Sequence, residues 1–217
     1  ELSQLAATYS AALAAPAKDV DRLKAAIRSA SESSLIGVGS GGSFTTASLL
    51  CNLHETYTGR VSRASTPLEI ICNPTLASLS PVFLISAEGK NPDICEALER
   101  ARRHSARTLH VLTNREESEL MKCVERLTDV TTHVFSLVEK DGYLATNSLL
   151  LDAILIARAY AELDHAKYRL PEGFDSLKIG TQTIDQWVKS ALPFAAEANR
   201  RGALTIVYSP FLKPIAA

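Results

Sequence analysis

The sequence predicts an α/β protein with a five-stranded parallel sheet and helices on both faces. Short apolar segments, which follow one another at intervals of about 20 to 25 residues, alternate with segments of helical periodicity. This pattern is typical of parallel strands joined by right-handed helical crossovers. Two of these segments, Leu35–Val38 and Val82–Ile85, each lead through a serine-bearing turn into a helix. Such a sheet commonly has the flavodoxin-like strand order 2-1-3-4-5, in which strands one and three are neighbours.

The individual elements follow from periodicity and from capping residues. Two N-terminal helices are predicted at Leu2–Ala15 and Val20–Ala30, with Asp19 as the N-cap of the second. Asn91, followed by Pro92 and an aspartate, is a strong helix start. The predicted strands are Leu35–Val38, Arg60–Ala64, Val82–Ile85, Thr108–Leu112 and Val130–Phe135. The other predicted helices run from Ser43 to Tyr57, from Ser118 to Val124 and from Leu144 to Ala161.

The C-terminal part of the chain differs in character from the rest. The helix Leu144–Ala161 is apolar nearly all round, which is typical of a helix buried under other elements or in a dimer interface. A further helix is predicted at Thr181–Arg201 and a strand at Ala203–Ser209. We interpret this strand as the start of a truncated second domain of the same kind; addition to the edge of the first sheet is the alternative. The predicted organisation is N-terminal helices (1–32), main domain (33–165), linker and helix (166–202) and the new strand (203–217).

Two turns carry the chemistry that the sequence suggests. The segment Gly39–Ser43 reads Gly-Ser-Gly-Gly-Ser, and Ser86–Gly89 reads Ser-Ala-Glu-Gly. Glycines let backbone N–H groups approach a ligand closely, and a helix N-terminus favours anions. The turns follow strands one and three, where ligands bind in sheets of this order. The sequence therefore predicts a phosphate cradle formed from two directions.

Three segments, Gly39–Ser43, Ile85–Asp93 and Asp141–Ser148, resemble motifs of the sugar isomerase (SIS) domain family, over about residues 33 to 160. The resemblance implies that Ser43 and Ser86 hydrogen-bond a sugar phosphate. It also implies a set of residues lining the sugar-phosphate site: Ser40, Gly41, Gly42, Ser43, Ser86, Ala87, Glu88, Gly89, Asn91, Leu144 and Thr146. Within this set, Asn91 stands where a phosphate-binding threonine is usual, and Leu144 and Thr146 fall where family members line the sugar.

One residue departs from the family pattern. The second turn usually reads Ser-x-Ser-Gly, but this chain has Glu88 in place of the second serine. A carboxylate beside a phosphate is repulsive, by about 1 kcal/mol in water and more when partly desolvated. Lys90 could offset that charge; alternatively, Glu88 points outward or contacts a hydroxyl or amine of the sugar.

The sequence does not identify the catalytic residue. His54 lies on the inward stripe of its helix, where a core or interface histidine is the preferred interpretation and a general base the alternative. Glu139 precedes the long helix and is either a general base near the sugar or a solvated loop carboxylate. Asp152 is interpreted as a buried, hydrogen-bonded acid rather than a catalyst.

The resemblance implies an aldose–ketose isomerase or an amino-sugar phosphate isomerase/deaminase that needs neither metal nor organic cofactor and forms a homodimer. The alternative is a non-catalytic sensor of a phosphosugar or nucleotide. A more remote alternative is an NADP-binding oxidoreductase domain, because Gly37–Gly42 also matches the dinucleotide fingerprint and Arg63 could bind a 2′-phosphate.

Composition limits the partners. The chain has 23 basic and 24 acidic residues, a net charge of -1, so no extended basic field exists to bind nucleic acid or an anionic membrane. The longest apolar run is too short to span a bilayer. The four cysteines are widely spaced in apolar or helical surroundings, and we expect buried thiols in a cytoplasmic protein.

Overall fold

The computed structural model of the chain describes residues 2–104, 106–137, 141–142, 145–164 and 169–202. The chain divides into two compact units, the first ending at Leu170 and the second beginning at Pro171. In the first unit, parallel strands form one sheet in the order β2-β1-β3-β4-β5, which confirms the predicted fold class and strand order. The strands are β1 (Ile36–Val38), β2 (Arg63–Ser65), β3 (Pro81–Ile85), β4 (Thr108–Thr113) and β5 (Val130–Val134).

The helices of the first unit agree with most predicted positions. At the start of the fifth helix, the Asn91 side chain accepts a hydrogen bond from the backbone N of Asp93, which confirms Asn91 as an N-cap. The described helices of this unit are α1 (Leu5–Leu13), α2 (Ala17–Ala30), α3 (Gly42–Thr58), α4 (Pro67–Cys72), α5 (Pro92–Arg103), α6 (Glu119–Glu125) and α7 (Thr146–Leu163).

Two helix starts differ from the prediction. The expected N-cap at Asp19 is wrong, because α2 already begins at Ala17 after the extended backbone of Pro16. Asp19 instead lies in the first turn, where a negative charge favours the helix dipole. Helix α4 was not predicted, although Thr66 and Glu69 form a capping box that the sequence Thr-Pro-Leu-Glu already contains.

The sheet has a helical layer on each face. On one face, apolar side chains of β1, β3 and β4 pack against α4, α5 and α6 around Val82, Leu84 and Leu98. Alternate strand residues point the other way, so that Phe83 stacks on His110 with ring centroids 4.4 Å apart. Burial lowers the pKa of His110 to about 4, so this histidine is a neutral core residue at pH 7.

Helix α7 is the central helix of the second layer, where it contacts α1, α2 and α3. Polar contacts hold it there as well: Thr8 Oγ1 donates to Asn147 Oδ1 at 2.8 Å, and Arg158 Nη1 donates to the carbonyl oxygens of Leu13 and Ala15, each at 2.9 Å. The predicted burial of this helix on several sides is therefore confirmed within one subunit.

A buried carboxylate anchors the start of α7. Asp141 Oδ1 accepts hydrogen bonds from the backbone N and from Nδ2 of Asn147, both at 3.0 Å. Its Oδ2 accepts from the backbone N of Ser148 at 2.8 Å and from the Ser148 hydroxyl. Burial acts to raise the pKa of Asp141, but the hydrogen bonds from Ser148 and Asn147 outweigh it and lower the pKa below its usual value. Asp141 is therefore ionised at neutral pH.

The second unit contains a short antiparallel hairpin, β6 (Lys178–Ile179) and β7 (Gln182–Thr183), followed by α8 (Ile184–Arg201). The predicted helix at Thr181 begins later because Thr183 caps it: Thr183 Oγ1 accepts from the backbone N of Gln186 at 3.3 Å. The predicted strand Ala203–Ser209 lies outside the described residues.

Two further expectations concern the burial of the cysteine thiols and the lack of a membrane-spanning segment. All four thiols are free; Cys51 is buried, but Cys72 is exposed at the end of α4 and the other two are partly exposed. The expectation of four buried thiols is therefore wrong, because only one face of the short helix α4 packs on the core. None of the helices in the described ranges is long and apolar enough to cross a bilayer.

Replacing Asp141 should destabilise the first unit. Asp141→Ala removes four hydrogen bonds to one carboxylate and should lower the free energy of unfolding by about 2 kcal/mol at pH 7. Because the folded state lowers the pKa of Asp141, this stabilisation is present above the unfolded pKa and should be lost as the pH falls through the folded pKa, below about 4. Urea titration of the wild type and the variant at several pH values measures this difference in the free energy of unfolding.

The matched control is Asp129→Ala, since Asp129 pairs with Arg102 at 2.9 Å on an exposed surface. Exposed pairs contribute little, so this control should cost at most about 0.5 kcal/mol. Equal losses in the two variants would contradict the anchoring role of Asp141.

Candidate functional site

A cleft of about 170 Å³ lies at the carboxyl ends of β1 and β3. Three parts of the first unit form it: the start of α3, the turn between β3 and α5, and one face of α7. Its lining residues are Ser40, Gly42, Ser43, Thr46, Ser86, Ala87, Glu88, Lys90, Asn91, Ala145, Leu149 and Asp152. Both predicted serine turns therefore contribute to one cleft.

The first turn requires glycine for packing and for backbone conformation. A Cβ added at Gly39 would lie 2.4 Å from the backbone oxygen of Ser43, and one added at Gly37 would lie 2.8 Å from the backbone oxygen of Ala47. Gly41 has a φ of 55°, a left-handed conformation that favours glycine. The turn can therefore pack tightly against the first residues of α3, and this places Ser43 in the cleft.

The second turn is held by the strand next to it. The backbone N of Ser86 donates to Leu112 O at 3.0 Å, and Ala87 O accepts from the backbone N of Asn114 at 3.0 Å. Gly89 has a φ of 61°, and a Cβ there would lie 2.4 Å from Ser118 Oγ. These contacts tie the turn to β4 and to the start of α6, so its position does not depend on a ligand.

Asn91 connects the two turns directly. Its Nδ2 donates to Ser40 Oγ at 3.2 Å, while its Oδ1 caps α5. The side chain is thus fixed at both ends and orients a hydroxyl of the glycine-rich turn. The resemblance assigned Asn91 to the site, but the contact with Ser40 joins residues 51 positions apart and is not visible in the sequence.

Glu88 is held between two cations. Arg115 donates to Glu88 Oε1 from Nε at 3.2 Å and from Nη2 at 3.1 Å, and Lys90 Nζ lies 3.2 Å from Glu88 Oε2. The Glu88 side chain is 34% exposed, so part of its charge also contacts solvent. The expected offset by Lys90 is therefore present. Arg115 was missed by the sequence analysis, although its position directly after β4 puts it at the same edge of the sheet.

The third wall of the cleft comes from α7. Ala145 directly precedes the helix, and Leu149 and Asp152, three residues apart, lie on one face of it. Asp152 is 1% exposed and accepts a hydrogen bond from Asn114 Nδ2 at 2.8 Å. Burial raises the pKa of Asp152 to about 7, although the bond from Asn114 opposes this. The predicted buried, hydrogen-bonded acid is confirmed; its place in the cleft was not foreseen.

His54 lies in the core, away from the lining residues of the cleft. Its Nδ1 is 3.0 Å from the Tyr160 hydroxyl and its Nε2 is 3.0 Å from Ser33 O. Burial lowers the pKa of His54 below its ordinary value. Because both ring nitrogens have protein partners, this placement favours the core interpretation over the general base.

Several other candidate residues do not line the cleft. Gly41 and Gly89 lie within the two turns, where they serve backbone conformation. Thr146 is at the first position of α7, one residue after the lining residue Ala145, and its hydroxyl is buried. Glu139 and Leu144 lie outside the described residues.

The remaining sequence predictions concern an alternative nucleotide site and the expected lack of a metal site. Arg63, the candidate for a 2′-phosphate, donates to Glu69 Oε1 at 3.0 Å and so already has a carboxylate partner. In the described part of the chain, no group of three or more His, Cys, Asp or Glu side chains is placed to hold a metal ion.

Comparison with known proteins adds solved structures that share this fold. No protein-family model matches the chain. No curated protein matches it. An Escherichia coli CFT073 protein in complex with arabinose-5-phosphate is 18% identical with a TM-score of 0.61, covering 76% of this chain and 87% of that one. Tagatose-6-phosphate ketose/aldose isomerase from Escherichia coli is 18% identical with a TM-score of 0.59, covering 74% and 46%.

A third similar structure is the C-terminal domain of glucosamine-fructose-6-phosphate aminotransferase from Francisella tularensis, 18% identical with a TM-score of 0.56, covering 92% of this chain and 52% of that one. The chain therefore spans about half the length of two of these three structures. At such identities the likeness concerns the fold, and the chain has the sugar isomerase fold that the sequence motifs predicted.

Gly39→Ala should disrupt the first turn. The new methyl group would meet backbone atoms of Ser43 and Phe44 that cannot rotate away, so the free energy of unfolding should fall by about 2 kcal/mol. Gly42→Ala is the matched control, because a Cβ there meets nothing within 4 Å. Chemical denaturation of both variants measures the difference, and a Gly42→Ala variant as unstable as Gly39→Ala would contradict the packing explanation.

If the cleft is the phosphate cradle that the sequence predicts, Glu88→Gln should strengthen its binding of inorganic phosphate. The substitution removes one negative charge from the cleft and leaves Lys90 and Arg115 unneutralised. The free energy of phosphate binding should therefore become more favourable by about 1 kcal/mol, which is about fivefold in affinity. Calorimetric titration at low salt measures it, with Glu119→Gln on α6 as an exposed control outside the cleft. Weaker binding by Glu88→Gln would show that the carboxylate is needed to position the two cations.

Proposed function

We propose that the cleft binds a phosphorylated sugar or sugar derivative, and that the chain is the binding domain of an aldose–ketose isomerase or an amino-sugar phosphate isomerase/deaminase. One observation supports this most: two hydroxyl-bearing residues from separate turns, Ser43 and Ser86, line the same cleft at the start of a 17-residue helix. A phosphate group needs several donors that converge from different directions, and this arrangement provides them.

The proposed phosphate position is at the first turn of α3. The first N–H groups of a helix have no partner one turn earlier, although here Phe44 N donates to Gly41 O at 3.0 Å, and the helix dipole favours negative charge. Ser43 and Thr46 approach from α3 and Ser86 from the opposite turn. Lys90 adds a nearby positive charge, and Arg115 helps to neutralise Glu88. We assign the sugar part to the side of α7, where Leu144 and Thr146 are the residues implied by the resemblance.

The proposed reaction would move a proton between adjacent carbons of the opened sugar through an enediol-like intermediate. It needs a general base near the reacting carbons and an anchor that holds the phosphate while they react. We retain Glu139 as the candidate base, since it precedes α7. His54 is a weaker candidate because Tyr160 and Ser33 occupy both of its ring nitrogens. No organic cofactor is required, and a neighbouring subunit of a homodimer would complete the site.

A non-catalytic phosphosugar sensor is the second candidate. The ion-paired Glu88 favours it, because a carboxylate next to the proposed phosphate weakens binding and a sensor tolerates weak, reversible binding better than an anchored reaction does. In this case the cleft reports ligand concentration to a partner, and the same residues bind the phosphate.

The proposed domain organisation follows from the same resemblance. We assign residues 33–165 to the sugar isomerase domain and Ala203–Ser209 to the start of a second, similar one. In support, the match to the aminotransferase domain covers 92% of this chain but only 52% of that structure. We also retain the expectation of a cytoplasmic protein without nucleic-acid or membrane partners.

The function is tested with aldose, ketose and amino-sugar phosphates, each incubated with the protein and followed by NMR. Interconversion of a ketose phosphate with its aldose, or release of ammonia from an amino-sugar phosphate, would support the enzyme. Thermal stabilisation by a sugar phosphate without turnover would support the sensor. The absence of both turnover and binding across the whole panel would refute both candidates.

Ser43→Ala and Ser86→Ala should each weaken sugar-phosphate binding. Each removes a hydrogen bond to a charged group, so binding should weaken by roughly 1 to 3 kcal/mol, which raises the dissociation constant about 5- to 150-fold. Ser10→Ala is the control, because the Ser10 hydroxyl is exposed and bonds only within α1. Calorimetric titration measures affinity, and wild-type affinity in both cleft variants would show that the phosphate position is misassigned.

A further inference from the structure

Asp152 is the one acidic side chain that α7 contributes to the cleft lining. The side chain is 1% exposed, so its carboxyl has little access to bulk water. Oδ1 accepts from Asn114 Nδ2 at 2.8 Å, and no donor among the described residues is recorded on Oδ2. A buried acid on the wall of the cleft, with a recorded donor from the described residues on only one of its oxygens, is not needed for packing alone.

The contacts of Asn114 determine which oxygen of Asp152 carries a proton. Asn114 Nδ2 donates to Phe135 O at 3.0 Å as well as to Asp152 Oδ1. Both amide protons are thus used, and Oδ1 acts as an acceptor. Among the described residues, Oδ2 is the oxygen with no recorded donor, so a proton on the carboxyl belongs there, and the protonated group can donate a hydrogen bond from that oxygen.

We propose that Asp152 is a ligand-binding residue of the cleft, whose protonated carboxyl donates a hydrogen bond to an oxygen of the bound anion and thereby couples anion binding to proton uptake. This inference rests on the proposed function, because it requires that the cleft holds an anionic ligand. It adds a residue that the family motifs do not assign and a regulation of the same site by pH.

The charged group nearest to Asp152 along the chain's contacts is the ionised Asp141, which binds Ser148, four residues before Asp152 on α7. The other charged groups around Asp152 lie farther away or are paired with one another. Helix α1 carries no Asp, Glu, Lys or Arg side chain. On α2, Lys24 binds Glu162 at the far end of α7, at 3.2 Å. On α3, His54 bonds Tyr160. These contacts are several helical turns from the cleft end of α7.

Closer to the cleft, Glu88 and Lys90 lie on the turn after β3, and Arg115 follows β4. These three groups are paired with one another, so none of them is recorded as a partner of Asp152. Burial accordingly dominates, and the pKa of Asp152 is raised to about 7 before any ligand binds.

An anion in the cleft shifts this equilibrium further towards the protonated form. Like charges in a small, partly desolvated cleft repel each other, whereas a protonated carboxyl and an anion attract each other through a hydrogen bond. By linkage, the ligand raises the proton affinity of Asp152, and protonation raises the ligand affinity. Binding should therefore weaken as the pH rises above about 7 and should take up a proton from the buffer.

Isothermal titration calorimetry tests this with inorganic phosphate and with fructose 6-phosphate, at pH 6.5 and 8.5, in two buffers of different ionisation enthalpy. Between these pH values, wild-type affinity should fall by at least about tenfold more than that of Asp152→Asn. The wild type should take up close to one proton per ligand at pH 8.5, and Asp152→Asn none beyond the ligand's own protonation. Both proteins bind the same ligands, so the comparison cancels the titration of the phosphate itself.

Asp129→Asn is the matched control, because Asp129 is an exposed acid paired with Arg102 before β5. It should show the wild-type pH dependence and proton uptake.

Asp152→Asn retains an acceptor for Asn114 and should fold. Because burial raises the pKa of Asp152, wild-type stability should be lost as the pH rises from about 4 through about 7, and this loss should be absent in Asp152→Asn.

The outcomes separate the inference from the proposed function. Equal pH dependence and proton uptake in wild type and Asp152→Asn, with binding intact, would overturn the inference and leave the proposed function standing. No binding of either ligand to the wild type at either pH would overturn both. If Asp152→Asn does not fold, infrared difference spectra of the wild type at pH 8 decide: a protonated carboxyl band that grows on phosphate addition supports the inference, and its absence overturns it.

Discussion

The parallel pairing of β1 with β3 is the constraint on which the candidate site depends. Val38 pairs with Leu84 in this register, so the two strands end side by side and their turns begin at the same edge of the sheet. The crossovers from these strands leave in opposite directions, which opens a crevice between the turns. Because Gly37 and Gly39 admit α3 at close range, the helix start and its serine reach the same crevice.

Charge in the cleft is balanced locally rather than by the protein as a whole. The net charge of the chain is -1, so attraction of an anion depends on groups at the site. Lys90 and Arg115 hold Glu88 from two directions, and this leaves the backbone donors of α3 as the main positive potential. This local balance of charge fits the single anionic head group that we propose as the ligand better than it fits a polyanion.

Helix α7 joins the site to the rest of the first unit. Its start is held by the ionised Asp141, its middle contributes Asp152 to the cleft, and Arg158 near its end binds carbonyl oxygens at the end of α1 and just after it. A shift of this helix would therefore change the cleft and the N-terminal helices together. The packing that buries Asp152 is also what gives its carboxyl an unusual proton affinity.

Local signals in the sequence determined most of the fold and the two turns. Apolar segments, the capping sequence Asn91–Asp93 and the glycine–serine turns each act through neighbours in the chain, so they can be read without the structure. The tertiary structure decided what depends on distant contacts: Arg115 meets Glu88, Asn91 meets Ser40, and Asp152 lines the cleft instead of lying only in the core. The physical reason is that a side chain's partners, burial and pKa are set by elements that pack against it, and these come from far along the chain.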